Sequence, residues 1–120
     1  MEIVRVLDAA PTAPAEARLS LGALRRAIPS RQLEDLRLVV SELVTNAVLH
    51  AGLRVGDPIT MTVRVTEGRI RVEVVDGGCG FPQAPAAPAA GLGLPIVDRL
   101  SDRWGTERTS ETKVWAEFAR

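Results

Sequence analysis

The chain has 120 residues, 46% of them apolar and 25% charged, and its fifteen basic side chains are balanced by fifteen acidic ones. This is the make-up of one globular domain, spanning residues 1–120, with a single core; the neutral balance and 3% aromatic content argue against direct nucleic-acid binding. A single cysteine, Cys79, excludes an intrachain disulfide and a cysteine zinc cluster, and no apolar run approaches the length of a membrane span, so no membrane contact and a cytoplasmic location are expected.

Residues 2–7 alternate as a short strand, and Asp8 to Pro11 read as a turn. A helix is predicted from Thr12, acting as N-cap, with Pro14 in its first turn. Ala17, Leu21, Leu24 and Ile28 then repeat on one apolar face until Pro29 stops the helix. Ser30 is positioned to cap a second helix that runs to about Ala51, with Gly52 as its left-handed stop. Ile59, Met61, Val63 and Val65 alternate strictly with polar residues, as do Ile70, Val72 and Val74, with Glu67-Gly68 as a hairpin turn between the two strands. Residues 81–90, FPQAPAAPAA, carry three prolines and no charge, so neither a regular helix nor a paired strand is expected there. A short helix to about Ser101 follows, then strands at Trp104–Arg108 and Thr112–Phe118 around a turn at Ser110-Glu111. The order β-α-α-β-β-loop-α-β-β lacks regular strand–helix alternation. It predicts an α+β two-layer sandwich, with helices on one face of a mixed, mostly antiparallel sheet.

Within the second helix, Glu42, Asn46 and His50 recur at four-residue spacing and fall within about an 80° arc. They border the apolar stripe of Leu33, Leu36, Val40, Leu43, Val44 and Ala47. A solvated face would more often carry mixed charges in i,i+4 pairs, so this carboxylate, amide and imidazole are candidates for chemistry. Leu38 and Leu49 flank them and are expected to pack under the 81–90 segment or against the first strand.

Two glycine segments come later. Asp76-Gly-Gly-Cys-Gly80 ends a strand, giving a backbone that turns sharply beside a carboxylate able to accept from an exocyclic amine. Gly91-Leu92-Gly93-Leu94 precedes a helix, whose free N–H groups suit phosphate. Each is weak alone, and a turn that only reverses the chain is the commoner meaning of either. The chain has no GxxxxGK[ST], and GLGLPI lacks the pattern and βαβ setting of a dinucleotide fingerprint.

Taken in order, the helix ELVTNAVLHAG, the box DGGCG and the box GLGL resemble the GHKL (Bergerat-fold) ATPase domain of histidine kinases, gyrase-type proteins, Hsp90 and anti-sigma-factor kinases. The ending, DRWG followed by TKVWAEF, resembles the small bacterial anti-sigma-regulatory serine/threonine kinases. The resemblance implies ATP and Mg²⁺ as cofactors, with Asn46 as the metal ligand and Glu42 as the catalytic base. It implies that Asp76 binds the adenine amine, with Gly78 and Gly80 passing close to the base. Gly91, Leu92, Gly93 and Leu94 would line the phosphates. His50 either contacts the nucleotide region or caps the helix C-terminus. Implied partners are a sigma factor or an anti-sigma antagonist protein, and a second copy in a homodimer.

The chain departs from this pattern in having no Lys or Arg between Gly80 and Arg99, where related kinases carry a longer lid with a basic residue. Two readings therefore stand side by side. One is a serine/threonine kinase acting on a regulator of transcription; the other is a non-catalytic nucleotide-binding module that works by holding its partner.

Overall fold

The computed structural model describes residues 1–50, 52–77 and 94–120, with His50 by its backbone alone. Strand β1 (Glu2–Asp8) leads through helix α1 (Ala13–Ser20) and a 3₁₀ turn (Leu21–Leu24) into helix α2 (Ser30–His50). Strands β2 (Pro58–Val65) and β3 (Arg69–Asp76) form a hairpin. Helix α3 (Leu94–Leu100) then precedes a second hairpin of β4 (Arg103–Arg108) and β5 (Thr112–Ala119). The sheet order is β1-β2-β3-β5-β4. Every described pairing is antiparallel, so the sheet is more uniform than the mixed one expected, while the two-layer α+β arrangement is as read from the sequence.

Alternation along the strands divides the sheet into two faces. Ile59, Met61 and Val63 on β2, and Ile70, Val72 and Val74 on β3, are buried with Ala116 and Phe118 of β5. The helices supply Leu21, Leu24, Leu36, Val39, Val40, Leu43 and Val44 to the same core. α2 packs against both α1 and α3 and crosses β3. Both edge strands carry charge: Arg5 on β1 lies on the same pleat as buried Ile3 and Leu7, and β4 bears Arg103, Glu107 and Arg108. Such charges blunt an edge against further strand pairing.

Local details differ from the sequence reading where backbone geometry overrides residue preference. Thr12 sits in the helical region at φ −82°, ψ −11° and makes no side-chain capping bond. A cap needs extended backbone to turn its oxygen toward the N2 and N3 amides. Beyond Ser20 the expected single helix tightens into the 3₁₀ turn that contains Gly22, a poor helix residue. The Ser20 hydroxyl donates to the Ala17 carbonyl at 2.7 Å just before this point. The apolar face nevertheless persists, since Ala17, Leu21, Leu24 and Ile28 are all buried. Ser30 is already helical, and the Leu33 amide donates to the Pro29 carbonyl at 2.9 Å. Gly52 takes φ +73°, the left-handed stop expected of it.

The sheet face away from the helices carries an ionic network. Glu117, only 7% exposed in its side chain, accepts from Arg71 Nη1 at 2.7 Å and from Arg103 Nη2, while Arg69 Nη1 stands 3.7 Å away. Hydrogen bonding from Arg103 outweighs burial and, with Arg71, holds the Glu117 carboxyl below the usual carboxylate range. For Glu73, burial works against the charged form, but the Arg71 hydrogen bond and the Lys113 charge prevail and lower its pKa as well. Arg71 also lies over the Trp115 ring, 4.5 Å from its centroid.

Candidate functional site

The site is built from α2 outward. Its apolar stripe fixes the rotation of the helix, and Leu36, Val40, Leu43 and Val44 are fully buried. With that rotation set, Glu42 is half-buried and Asn46, one turn further on, is 6% exposed. Asn46 makes no side-chain hydrogen bond among the described residues, and no fully buried side-chain nitrogen or oxygen there lacks a partner. Its remaining exposure therefore falls on the amide, at the border of the core. An amide held this way offers an oxygen ligand without the desolvation cost of a buried charge.

Asp76 closes β3 on the inward pleat, in step with Val72 and Val74, and is 4% exposed. Across the β3–β5 ladder it faces Thr112, which is 2% exposed. Next in the chain, a Cβ built on Gly77 would meet no heavy atom within 4 Å, so the chain leaves β3 beside open space. Thr112 is a candidate functional residue that sequence reading missed. Its only signal was an alternating strand, and its importance rests on β5, not β4, lying beside β3.

At its far end α3 is tied to the sheet. Trp104 Nε1 donates to Asp98 Oδ1 at 2.8 Å, and the Ser101 hydroxyl donates to the Val97 carbonyl at 2.6 Å. Asp102 Oδ2 accepts from the Ala119 amide at 2.6 Å, and the Asp102 amide donates to the Glu117 carbonyl at 2.8 Å. Leu94 and Val97 are buried in the core. The Leu94 side chain is therefore a packing group, and only its backbone remains to serve a ligand.

The fold thus places Asn46, Asp76 and Thr112 on the helix-covered side of the sheet, with Glu42 on the face of α2 that carries Asn46. Gly78, Gly80, Gly91, Leu92 and Gly93 lie outside the described residues, as do Cys79 and the 81–90 segment. The His50 side chain is likewise outside them. Leu38 and Leu49 are 52% and 66% exposed, so neither packs against the first strand. Among the described residues no helix is long and apolar enough to cross a membrane.

The chain is 31% identical over 120 residues to the serine-protein kinase RsbW of Listeria innocua, covering 84% of this chain and 76% of that protein. It is 24% identical over 96 residues to the anti-sigma F factor of Clostridium acetobutylicum, covering 69% and 67% respectively. It is also 29% identical over 85 residues to the anti-sigma F factor of Pasteuria penetrans, covering 60% and 57%. The profile of the histidine kinase-like ATPase domain matches residues 7–118, from the end of β1 through β5, and the chain belongs to that family of ATP-using domains.

Proposed function

We propose that the chain binds Mg·ATP between α2, the end of β3 and the start of α3, and that it regulates transcription as a serine/threonine protein kinase acting on a protein partner. The observation that carries this reading is the pairing of Glu42 with a buried, unpartnered Asn46 on one face of α2. The oxygen-only character of these groups suits Mg²⁺, which takes few protein ligands and leans on phosphates. When bound, the metal supplies positive charge to the nucleotide phosphates.

Asn46 would hold that metal through its amide oxygen. Asp76 would accept from the adenine amino group, and its buried position would exclude competing water. Gly78 and Gly80 would let the backbone pass close to the base. The backbone N–H groups of Gly91, Leu92, Gly93 and Leu94 would receive phosphate oxygens. Glu42 would take the proton from the attacking serine or threonine hydroxyl of the partner. That partner is expected to be a sigma factor or an antagonist of an anti-sigma factor; the sigma side of this reading is supported by relatives named anti-sigma F factor. A homodimer and a cytoplasmic location complete the proposal. His50 would either approach the nucleotide or cap α2.

A second reading has its own observation. No Lys or Arg lies between Gly80 and Arg99, so no cationic side chain there neutralises the charge that develops in phosphoryl transfer. On that reading the chain binds nucleotide to hold a shape and sequesters its partner without modifying it.

Two measurements test the proposal. Calorimetric titration with Mg·ATP should show saturable binding that Asn46→Ala abolishes; silence at millimolar nucleotide would overturn the site. Incubation with γ-labelled ATP and candidate antagonist proteins should label a serine or threonine, and Glu42→Ala should stop labelling while keeping nucleotide affinity. Binding without transfer to any of them would select the second reading.

A further inference from the structure

The face of the sheet opposite the helices holds an open pocket of about 360 Å³ at the β2–β3 hairpin end, lined by Arg64, Thr66, Gly68, Arg69, Arg71 and Glu117. The chain as a whole is formally neutral, yet this lining sets three guanidiniums against one carboxylate. A fourth, Arg120, reaches the same hairpin: its Nη1 donates to the Thr66 carbonyl at 2.6 Å and its amide to the Gly68 carbonyl at 3.1 Å.

These arginines are not equally committed. Arg71 is spent, since it donates to Glu73 and Glu117, each at 2.7 Å, and is only 24% exposed in its side chain. Arg64 gives Nε and Nη2 to Glu2 Oε2 at 3.1 and 2.8 Å, which leaves Nη1 without a partner among the described residues. Arg69 makes no side-chain hydrogen bond there. Its contact with Glu117, at 3.7 Å, is an ion pair only, and its side chain is 57% exposed. Glu117 is already satisfied by Arg71 and Arg103, so it has little left for Arg69. A Cβ on Gly68 would meet nothing within 4 Å, which leaves the hairpin side of the pocket clear.

Guanidiniums with spare donors that converge on a small concave surface match the oxygens of a phosphate group. We propose that this pocket binds a small phosphate-bearing molecule, with Arg69 as the principal donor and the Nη1 edge of Arg64 as the second. The site is separate from the proposed nucleotide site. Arg69 and Arg71 alternate with inward-facing Ile70, Val72 and Val74, whereas Asp76 shares the inward pleat. Glu117 acts as a spacer here: it holds Arg71 and Arg103 in place and keeps the positive cluster from repelling itself apart.

Inorganic phosphate is the probe. Titrated into the full chain and followed by two-dimensional ¹H–¹⁵N NMR, it should give saturable shifts at the Arg69 and Arg64 Nε–H groups and at the Thr66, Gly68 and Arg69 amides. Chloride at matched ionic strength should not reproduce them. Arg69→Ala should weaken this binding by about tenfold, the scale of one charge-assisted contact, and should move the thermal midpoint in phosphate-free buffer only slightly, since its ion pair with Glu117 is long and exposed on the Arg69 side. Arg64→Ala should weaken it less. Linear shifts that chloride reproduces would overturn the proposal, as would shifts confined to residues around Asp76 and Leu94. An Arg69→Ala chain that binds phosphate as well as the parent would overturn it too. Because the readout sits on the outer sheet face, failure here leaves the nucleotide reading standing, and the converse holds.

Discussion

Trp115 lies across Gly105 on the neighbouring strand, so that a Cβ at position 105 would stand 2.9 to 3.0 Å from three atoms of the indole. Arg71 also lies over this ring, 4.5 Å from its centroid, so guanidinium, indole and bare backbone meet on the outer sheet face. An aromatic laid over a strand glycine compensates for the side chain the glycine lacks. Gly105→Ala should push the indole off this seat and separate it from Arg71. The expected cost is about 1–2 kcal/mol, at the lower end of overpacking, read from urea denaturation with an unchanged slope.

Glu117 is the hub of the outer network, and its lowered pKa gives a stability claim with a definite sign. A carboxylate whose folded pKa lies below its unfolded value, about 4.3, stabilises fully above that value. The contribution disappears as pH falls through the folded pKa. Glu73 acts in the same direction. Thermal midpoints should therefore hold from neutral pH to about pH 5 and fall below about pH 4. In Glu117→Gln the midpoint should be lower at pH 7 and should fall less on acidification. Since Arg69 and Arg103 are more than half exposed, the neutral-pH loss should be about 1–3 kcal/mol, short of the cost of a fully buried pair.

Thr112 stands opposite Asp76, and both are buried. Thr112→Val keeps the shape and removes the hydroxyl. If that hydroxyl supports Asp76 in receiving an adenine amine, ATP affinity should fall about five- to tenfold, the scale of one net hydrogen bond. The same substitution should leave phosphate binding on the outer face unchanged. Calorimetry with ATP and with GTP checks this, since a loss confined to ATP locates the effect at the base.

On α2, two leucines five positions apart separate core from surface. Leu43 is 1% exposed and Leu38 is 52% exposed. Leu43→Ala should cost about 2–5 kcal/mol, whereas Leu38→Ala should stay within about 0.5 kcal/mol. Chemical denaturation of the two variants measures both. A large loss at Leu38 would mean that the exposed side chain is covered in solution.

Much of this architecture was legible because two periods are hard to disguise. Strict alternation in Ile59–Val65 and Ile70–Val74 marked both central strands and their inward faces, and the i, i+4, i+7 run from Ala17 to Ile28 marked the buried face of the first helical segment. What failed was conformation at fixed burial. Nothing in the side chains announced that the backbone tightens after Ser20, or that Thr12 is too helical to cap. Pairing was also hidden. β3 takes β5 as its neighbour across an intervening helix and strand, a choice made by the packing of the whole sheet. For that reason Asp76 was singled out from its glycine box while Thr112, its opposite number, was not. The outer arginine cluster was invisible for a similar reason: its members come from β2, β3, β4 and the C-terminal residue, and each reads alone as an ordinary solvated charge.

The two tryptophans fall on opposite sides of the sheet, and the chain contains no tyrosine. Trp104 is hydrogen-bonded to Asp98 of α3, the helix whose start borders the proposed nucleotide site, whereas Trp115 sits under Arg71 on the outer face. The protein thus carries two intrinsic fluorophores, each reporting on a different surface. With Trp115 replaced by Phe, emission from Trp104 should answer to ATP and ignore phosphate held outside. With Trp104 replaced instead, emission from Trp115 should respond to phosphate. Occupancy of the two sites can then be followed separately in one unlabelled molecule.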